Sequence, residues 1–183
     1  MPEIDSATLK NSMVARISGF QKQLPRIEKQ IQSESTRKYL KKLVIDNQYN
    51  AYCVDCQTNL STHSNITYGT FICGDCARVH SKLYGFTKHY IKDVFAEHWD
   101  PHQMNVVFRG GNQAFHKFLK IYKLESAPID DKYSNSASKF YKKCLIAKVM
   151  GKPIAAQRPL GKNEDPESRQ SKKIDKFIEK LFA

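Results

Sequence analysis

Four of the five cysteines form two pairs, and this pattern constrains the fold more than any other feature of the 183-residue chain. Two residues separate Cys53 from Cys56 and Cys73 from Cys76, and 16 residues lie between the pairs. Two such turns can place four thiolates around one Zn²⁺ ion as a tetrahedron. Four protein ligands leave no position for a substrate water, so we predict a single structural zinc ion.

Two disulfides, or a redox dithiol, are the competing interpretations of these cysteines. The first 20 residues contain Glu3 and Asp5 and no uninterrupted apolar segment, which argues against a secretion signal and so against disulfides. The duplication of the pair argues against a redox dithiol. No apolar run reaches the roughly 20 residues that a membrane span needs. We therefore expect a non-secreted protein of a reducing intracellular compartment, either the cytoplasm or, as part of a complex, the mitochondrion.

The other candidate ligands are expected to have packing or surface roles. Cys144 lies on the apolar stripe of a predicted helix, where a thiol behaves as a small core residue. His63, His80 and His89 lie in or near the cysteine segment. Because four suitably spaced thiolates already complete a zinc site, we do not expect these histidines to bind the metal.

The formal net charge of +12 is unevenly distributed. Residues 51–131 contain eight basic and eight acidic residues, whereas residues 132–151 contain five basic residues and no acidic one. The remaining excess lies in residues 1–50 and 152–183. A finger that reads nucleic acid should concentrate Lys and Arg beside the zinc, so nucleic-acid binding is the weakest alternative. The flanks favour docking to acidic protein surfaces or anionic lipid.

Apolar residues three to four apart predict several amphipathic helices. The predicted helices cover residues 4–24, about 25–44, a short segment from Cys76 to Gly85, 101–122, 136–150 and 174–182. Gly110-Gly111 predicts a break or a close backbone approach within the fourth of these. Residues 67–72 read as a short strand.

The residues around the cysteines resemble the Arf GTPase-activating (ArfGAP) domain. The resemblance rests on the segments Tyr68–Cys76, Val79-His80, Leu83, Ile91-Lys92, Trp99, Gly110–Asn112, Phe115, Phe118-Leu119, Lys132–Ser134, Ala137, Tyr141 and Gly151–Pro153. It implies a mostly helical α+β fold, with a four-Cys zinc finger and a small sheet surrounded by helices. We predict an N-terminal helical extension at 1–40, the ArfGAP-like domain at 41–158, and a basic linker with a short amphipathic helix at 159–183.

The family's catalytic position is altered in this sequence. Active members of the family that this chain resembles supply an arginine to the GTPase transition state. In the family that arginine directly follows a histidine, which corresponds here to His80. Ser81 stands in its place, and a serine has neither the charge nor the reach of a guanidinium. Arg78 is the possible substitute, while the adjacent Lys82 is a poorer one.

Three further departures affect positions that the family uses for function. His63 aligns with a tryptophan, Tyr84 is inserted before Gly85, and Lys92 aligns with an arginine. We therefore expect a protein that is not an enzyme but a structural or interaction subunit of a larger assembly. His63, Arg78, Lys82 and Lys92 form its candidate interaction surface. The alternative is an active GTPase activator of an Arf-type small G protein, working at an anionic membrane with Arg78 as its finger.

Overall fold

The structure is a computed structural model that describes residues 34–154, 157–161, 166 and 168–183. The predicted helix at 4–24, and the part of the next helix before residue 34, lie outside the described residues. Contacts divide the chain into two compact units, Met1–Tyr39 and Leu40–Ala183. A first helix, α1, is described over residues 34–45. The fold given below is that of the second unit.

A three-stranded antiparallel sheet lies beside the cysteine segment. Its strands are β1 (His63–Asn65), β2 (Thr70–Ile72) and β3 (Ile91–Asp93), in the spatial order β2-β1-β3. Asn65 pairs with Thr70, so the chain must reverse within the four intervening residues. Gly69 takes φ 61° there, a left-handed value that glycine adopts without strain. The predicted strand is therefore shorter than 67–72, because its first residues form this turn.

Six helices follow the first two strands. They are α2 (Gly74–Lys88), α3 (Pro101–Arg109), α4 (Asn112–Ile121), α5 (Ile129–Ser134), α6 (Ser136–Val149) and α7 (Arg169–Phe182). Asp100 caps α3 in a reciprocal capping box with Gln103, as the Asp-Pro start predicts. Gly85 interrupts α2 with φ 64°, so the predicted stop is present, although the helix resumes to Lys88.

The break predicted at Gly110-Gly111 separates α3 from α4 and brings two backbones together. A Cβ on Gly110 would lie 2.7 Å from the Gly69 carbonyl oxygen, so only glycine fits there. The Gly111 N–H donates to that same oxygen at 2.7 Å. Asn112 then accepts a hydrogen bond from the Phe71 N–H, which ties the start of α4 to β2.

Aromatic side chains from α4, α5 and α6 form the centre of the core. Phe115 contacts Tyr141 with ring centroids 4.7 Å apart, and Phe118 contacts the same tyrosine at 5.2 Å. Cys144 is fully buried beside them, as predicted, and burial raises the pKa of its thiol to about 12. Phe182 of α7 packs on Tyr141 at 5.3 Å, so the C-terminal helix joins this core.

One helix boundary and one whole helix differ from the sequence-based expectation. The helix predicted at 174–182 begins at Arg169, because Ser168 accepts a hydrogen bond from the Ser171 N–H and caps an earlier turn. The short helix α5 is not predicted, since six residues are too few to show a helical period.

Among the described residues, no helix is both long and apolar enough to cross a membrane.

Candidate metal centre and the exposed face of helix α2

The four predicted zinc ligands come together at the N-terminus of α2. Their Sγ atoms all lie within 4.8 Å of one another. Cys73 is the N-cap residue of α2 and Cys76 lies in its first turn. Cys53 and Cys56 lie on the preceding turn, which closes through a hydrogen bond from the Gln57 N–H to the Cys53 carbonyl at 2.9 Å.

The four sulfur donors fit a structural zinc ion, which has no open coordination position. Four thiolates within this distance match a tetrahedral site, and no ligand position remains for a substrate. A hydrogen bond from Cys76 lowers the pKa of Cys53 to about 5, so at least one ligand is ready as thiolate at neutral pH. Asn59 Nδ2 lies 3.8 Å from Cys73 Sγ and supports a second sulfur from outside the ligand set.

A buried charge network joins the first cysteine turn to the helices, and sequence reasoning missed it. Asp55 lies between two ligands, and its carboxylate accepts from His80 Nε2 at 2.8 Å and from the Tyr133 hydroxyl at 3.0 Å. Lys132 Nζ lies 3.3 Å from the same carboxylate. The side chains of Asp55, His80 and Lys132 are each at most 1% exposed. One carboxylate thus connects the zinc turn with α2 and α5.

His89 extends this network towards the sheet. Its Nδ1 lies 2.7 Å from His80 Nδ1 and 3.2 Å from Asn65 Nδ2. Burial, with a further contribution from His80, lowers the pKa of His89 to about 3, so its imidazole is neutral at physiological pH. Tyr84 stacks on the ring at a centroid distance of 4.0 Å. The inserted Tyr84 therefore has a packing role.

Tyr84 also fixes the end of the first part of α2. Its hydroxyl donates towards Asp130 Oδ1 at 3.0 Å and lies 3.1 Å from the Asp130 carbonyl oxygen. The resemblance predicts that Tyr84 is an insertion, and the structure gives this residue a partner 46 residues away. No sequence pattern indicates that contact, because a single tyrosine and a single aspartate carry no periodic signal.

The solvent face of α2 carries Ser81, the residue that the sequence resemblance predicts at the family's arginine position. Ser81 is exposed, and its Oγ donates to the Ala77 carbonyl at 3.0 Å within the same helix. The side chain of Arg78 is 79% exposed and pairs with Asp75 one turn earlier. Val79 and Leu83 are 42% and 46% exposed on the same helix.

The structure separates the four candidate interaction residues. Arg78 and Lys82 are exposed together on α2. His63 is half-buried on β1, with Thr62 Oγ1 2.9 Å from its Nδ1. Lys92 is only 8% exposed, and its Nζ lies 5.9 Å from the ring centres of both Tyr90 and Trp99. Lys92 therefore offers little surface to a partner, because its ammonium group is held against two aromatic rings.

The fold and site define a zinc-binding finger with a small sheet enclosed by helices. The ArfGap family model, described as "Putative GTPase activating protein for Arf", matches residues 37–153. The chain therefore belongs to the ArfGap family, and it carries one structural Zn²⁺ on Cys53, Cys56, Cys73 and Cys76. Both sequence-based predictions are confirmed. The domain boundaries at 40 and 158 stay predictions.

Several proteins of known sequence or structure resemble the chain over this region. It is 29% identical over 94 residues, 51% of this chain, to the uncharacterized protein F07F6.4 of Caenorhabditis elegans. It is 27% identical over 97 residues, 52% of this chain, to the ADP-ribosylation factor GTPase-activating protein GCS1 of Saccharomyces cerevisiae. The matched regions span 18% and 27% of those relatives, so the chain corresponds to only part of their length.

The fold also matches a solved structure. A "putative GTPase activating protein for ADP ribosylation factor" from Cryptosporidium parvum superimposes with a TM-score of 0.53 at 22% identity. The match covers 64% of this chain and 94% of that one. At this identity the likeness establishes the fold alone.

Proposed function

We propose that this chain is a catalytically degenerate member of the ArfGap family that acts as a structural or interaction subunit in a larger assembly. The observation that carries the proposal is Ser81, which stands at the position of the family's arginine on the exposed face of α2. Its hydroxyl already bonds to its own helix. A neutral group of this length cannot supply the charge that an arginine finger brings to phosphoryl transfer.

Arg78 supports the alternative, an active GTPase activator with a relocated finger. Its guanidinium is exposed, and its pair with Asp75 does not withhold it, since an exposed ion pair contributes at most about 1 kcal/mol. However, Arg78 lies three residues before position 81, so its side chain leaves the helix at a different height and in a different direction. A finger must meet the transferring phosphoryl group within hydrogen-bond reach, so this shift disfavours GTPase activation by Arg78.

The exposed apolar residues on α2 support a docking role. Val79 and Leu83 flank the basic residues Arg78 and Lys82, and Phe86 beyond them is 71% exposed. Basic and apolar side chains on one face suit a protein partner with an acidic rim. An Arf-type GTPase is one candidate, since the yeast relative is an ADP-ribosylation factor GTPase-activating protein. An anionic membrane is another candidate partner. The thiolate zinc site favours a reducing compartment.

Single-turnover GTP hydrolysis by an Arf-type GTPase tests the catalytic part of the proposal. We expect no acceleration by the zinc-loaded chain and none by Arg78→Ala. An acceleration of about 10³-fold or more that Arg78→Ala abolishes would establish the relocated finger. Ser81→Ala is the matched control, because it removes only a hydroxyl that bonds within the helix.

The size of the native complex tests the assembly part. We expect the tagged chain to elute from native cell extracts in a large complex and Leu83→Glu to release it while zinc content stays unchanged. Leu60→Glu is the matched control, as Leu60 is 64% exposed outside α2. Elution of the wild-type chain as a monomer would contradict the assembly role.

A further inference from the structure

An apolar groove between α3 and α6 has no role in the zinc site or on the exposed face of α2. Its volume is about 550 Å³. Aliphatic side chains form most of its walls, among them Ile66, Val106, Leu145, Ile146 and Val149. The groove lies where α6 turns a second apolar stripe away from the aromatic core.

The outer stripe of α6 exposes two large apolar residues. Ile146 is 47% exposed and Met150, one turn later, is 57% exposed. With Lys142 they line the groove at intervals of four residues, which places all three on one side of the helix. From Lys142 to Met150 the stripe is about 12 Å long, enough to receive two turns of another helix.

The two helices that form the groove carry a net positive charge. Helix α6 contains four lysines and no acidic residue, and α3 contains Arg109 and no acidic residue. Arg109 lies close enough to Lys148 to contribute, after burial, to lowering the pKa of that lysine. The one carboxylate in the lining, Asp100, is engaged as the N-cap of α3. No described carboxylate forms an ion pair with Lys142.

We propose that this groove binds an amphipathic helix of a partner protein, with apolar residues on one face and acidic residues along its edges. A concave apolar site receives individual side chains, as grooves that bind helices do, whereas a membrane presents a flat surface. Lys142 in the lining complements carboxylates on the helix edges. The inference names a surface and partner chemistry for the proposed interaction role, and it does not depend on the loss of GTPase activation.

Selection from a displayed library of 16-residue helical peptides on the immobilised, zinc-loaded full chain tests this site. We expect the enriched peptides to carry apolar residues three and four apart and a net negative charge. Measured by fluorescence anisotropy, their affinity should fall at least tenfold in Ile146→Glu. It should also fall at least tenfold when the acidic residues of the peptide are replaced by lysine.

Ile45→Glu provides the matched control, because Ile45 is a helical isoleucine that is 54% exposed elsewhere in the fold. Enriched peptides that bind Ile146→Glu and the wild-type chain equally, or that carry no excess of acidic residues, would overturn the proposal. Sedimentation with phosphatidylserine vesicles that Ile146→Glu alone abolishes, without peptide enrichment, would reassign the groove to lipid. GTP hydrolysis is measured separately, so either proposal can fail while the other stands.

Discussion

Replacing Asp55 by Asn should lower the free energy of unfolding of the zinc module far more than neutralising an exposed carboxylate would. The carboxylate receives hydrogen bonds from His80 and Tyr133 and lies 3.3 Å from Lys132 Nζ, and all of these side chains are buried. Neutralising it leaves the Lys132 ammonium without a counter-charge at zero exposure. Breaking one partner of a buried pair costs about 3–5 kcal/mol, and we expect a loss of that size.

The companion substitution should cost less. Lys132→Met leaves Asp55 with His80 and Tyr133, so the carboxylate keeps two of its partners. Combining the two substitutions removes both charges, and the cost of the double variant should fall below the sum of the single costs. We expect a coupling of about 2 kcal/mol between these positions.

Urea unfolding of the zinc-saturated protein at pH 7 measures all three variants. Asp131→Asn is the control, since Asp131 is an exposed neighbour on α5 and its neutralisation should change stability by no more than about 0.5 kcal/mol. Zinc content measured in parallel separates loss of the network from loss of the metal. An Asp55→Asn cost below about 1 kcal/mol, or strict additivity with Lys132→Met, would refute the reasoning.

Three further outcomes follow from the structure. Lowering the pH from 7 to 5 should reduce the free energy of unfolding by about 2 kcal/mol through His89. The imidazole of the unfolded chain gains a proton near pH 6.5, whereas that of the folded chain, with a pKa of about 3, does not. Urea titrations at both pH values check this, and His89→Asn should remove much of the loss. Gly110→Ala should lower the free energy of unfolding by about 2–3 kcal/mol, because the new Cβ clashes with backbone. Gly151→Ala should lower it by only about 1 kcal/mol, since φ is 63° there but the space is open. Equal shifts in melting temperature for the two variants would contradict this. Cys73→Ser should abolish zinc binding in elemental analysis, whereas Cys144→Ser should retain one zinc per chain.

Much of the fold was predictable because its signals are local. The zinc ligands follow from spacing alone, and the start of α3 follows from the adjacent Asp100 and Pro101. The break at Gly110 was predictable as a break, but its cause, contact with the backbone of Gly69, joins residues 41 apart. Strands β1 and β3 were not predicted as such, since three residues are too few to display an alternation.

The buried network could not be predicted, for a related reason. Asp55 and Lys132 are 77 residues apart, and each looks like an ordinary surface residue in the sequence. Only the packing of α5 against the first cysteine turn reveals that neither contacts water. His80 carried a stronger signal, because it lies one helical turn after a zinc ligand, yet its charge partner lies 25 residues earlier.

This network also separates the packing of α2 from the exposure of position 81. His80 and Ser81 are neighbours on α2, but His80 points into the core and bonds to Asp55, while Ser81 faces solvent. The contacts of His80 set the rotation of the helix, so position 81 is presented outwards whatever residue it carries. A substitution there alters the exposed face of α2 and leaves the packing untouched. The packing of α2 and the chemistry of its exposed face thus depend on different, adjacent residues, which is why a serine at position 81 is compatible with an intact zinc finger.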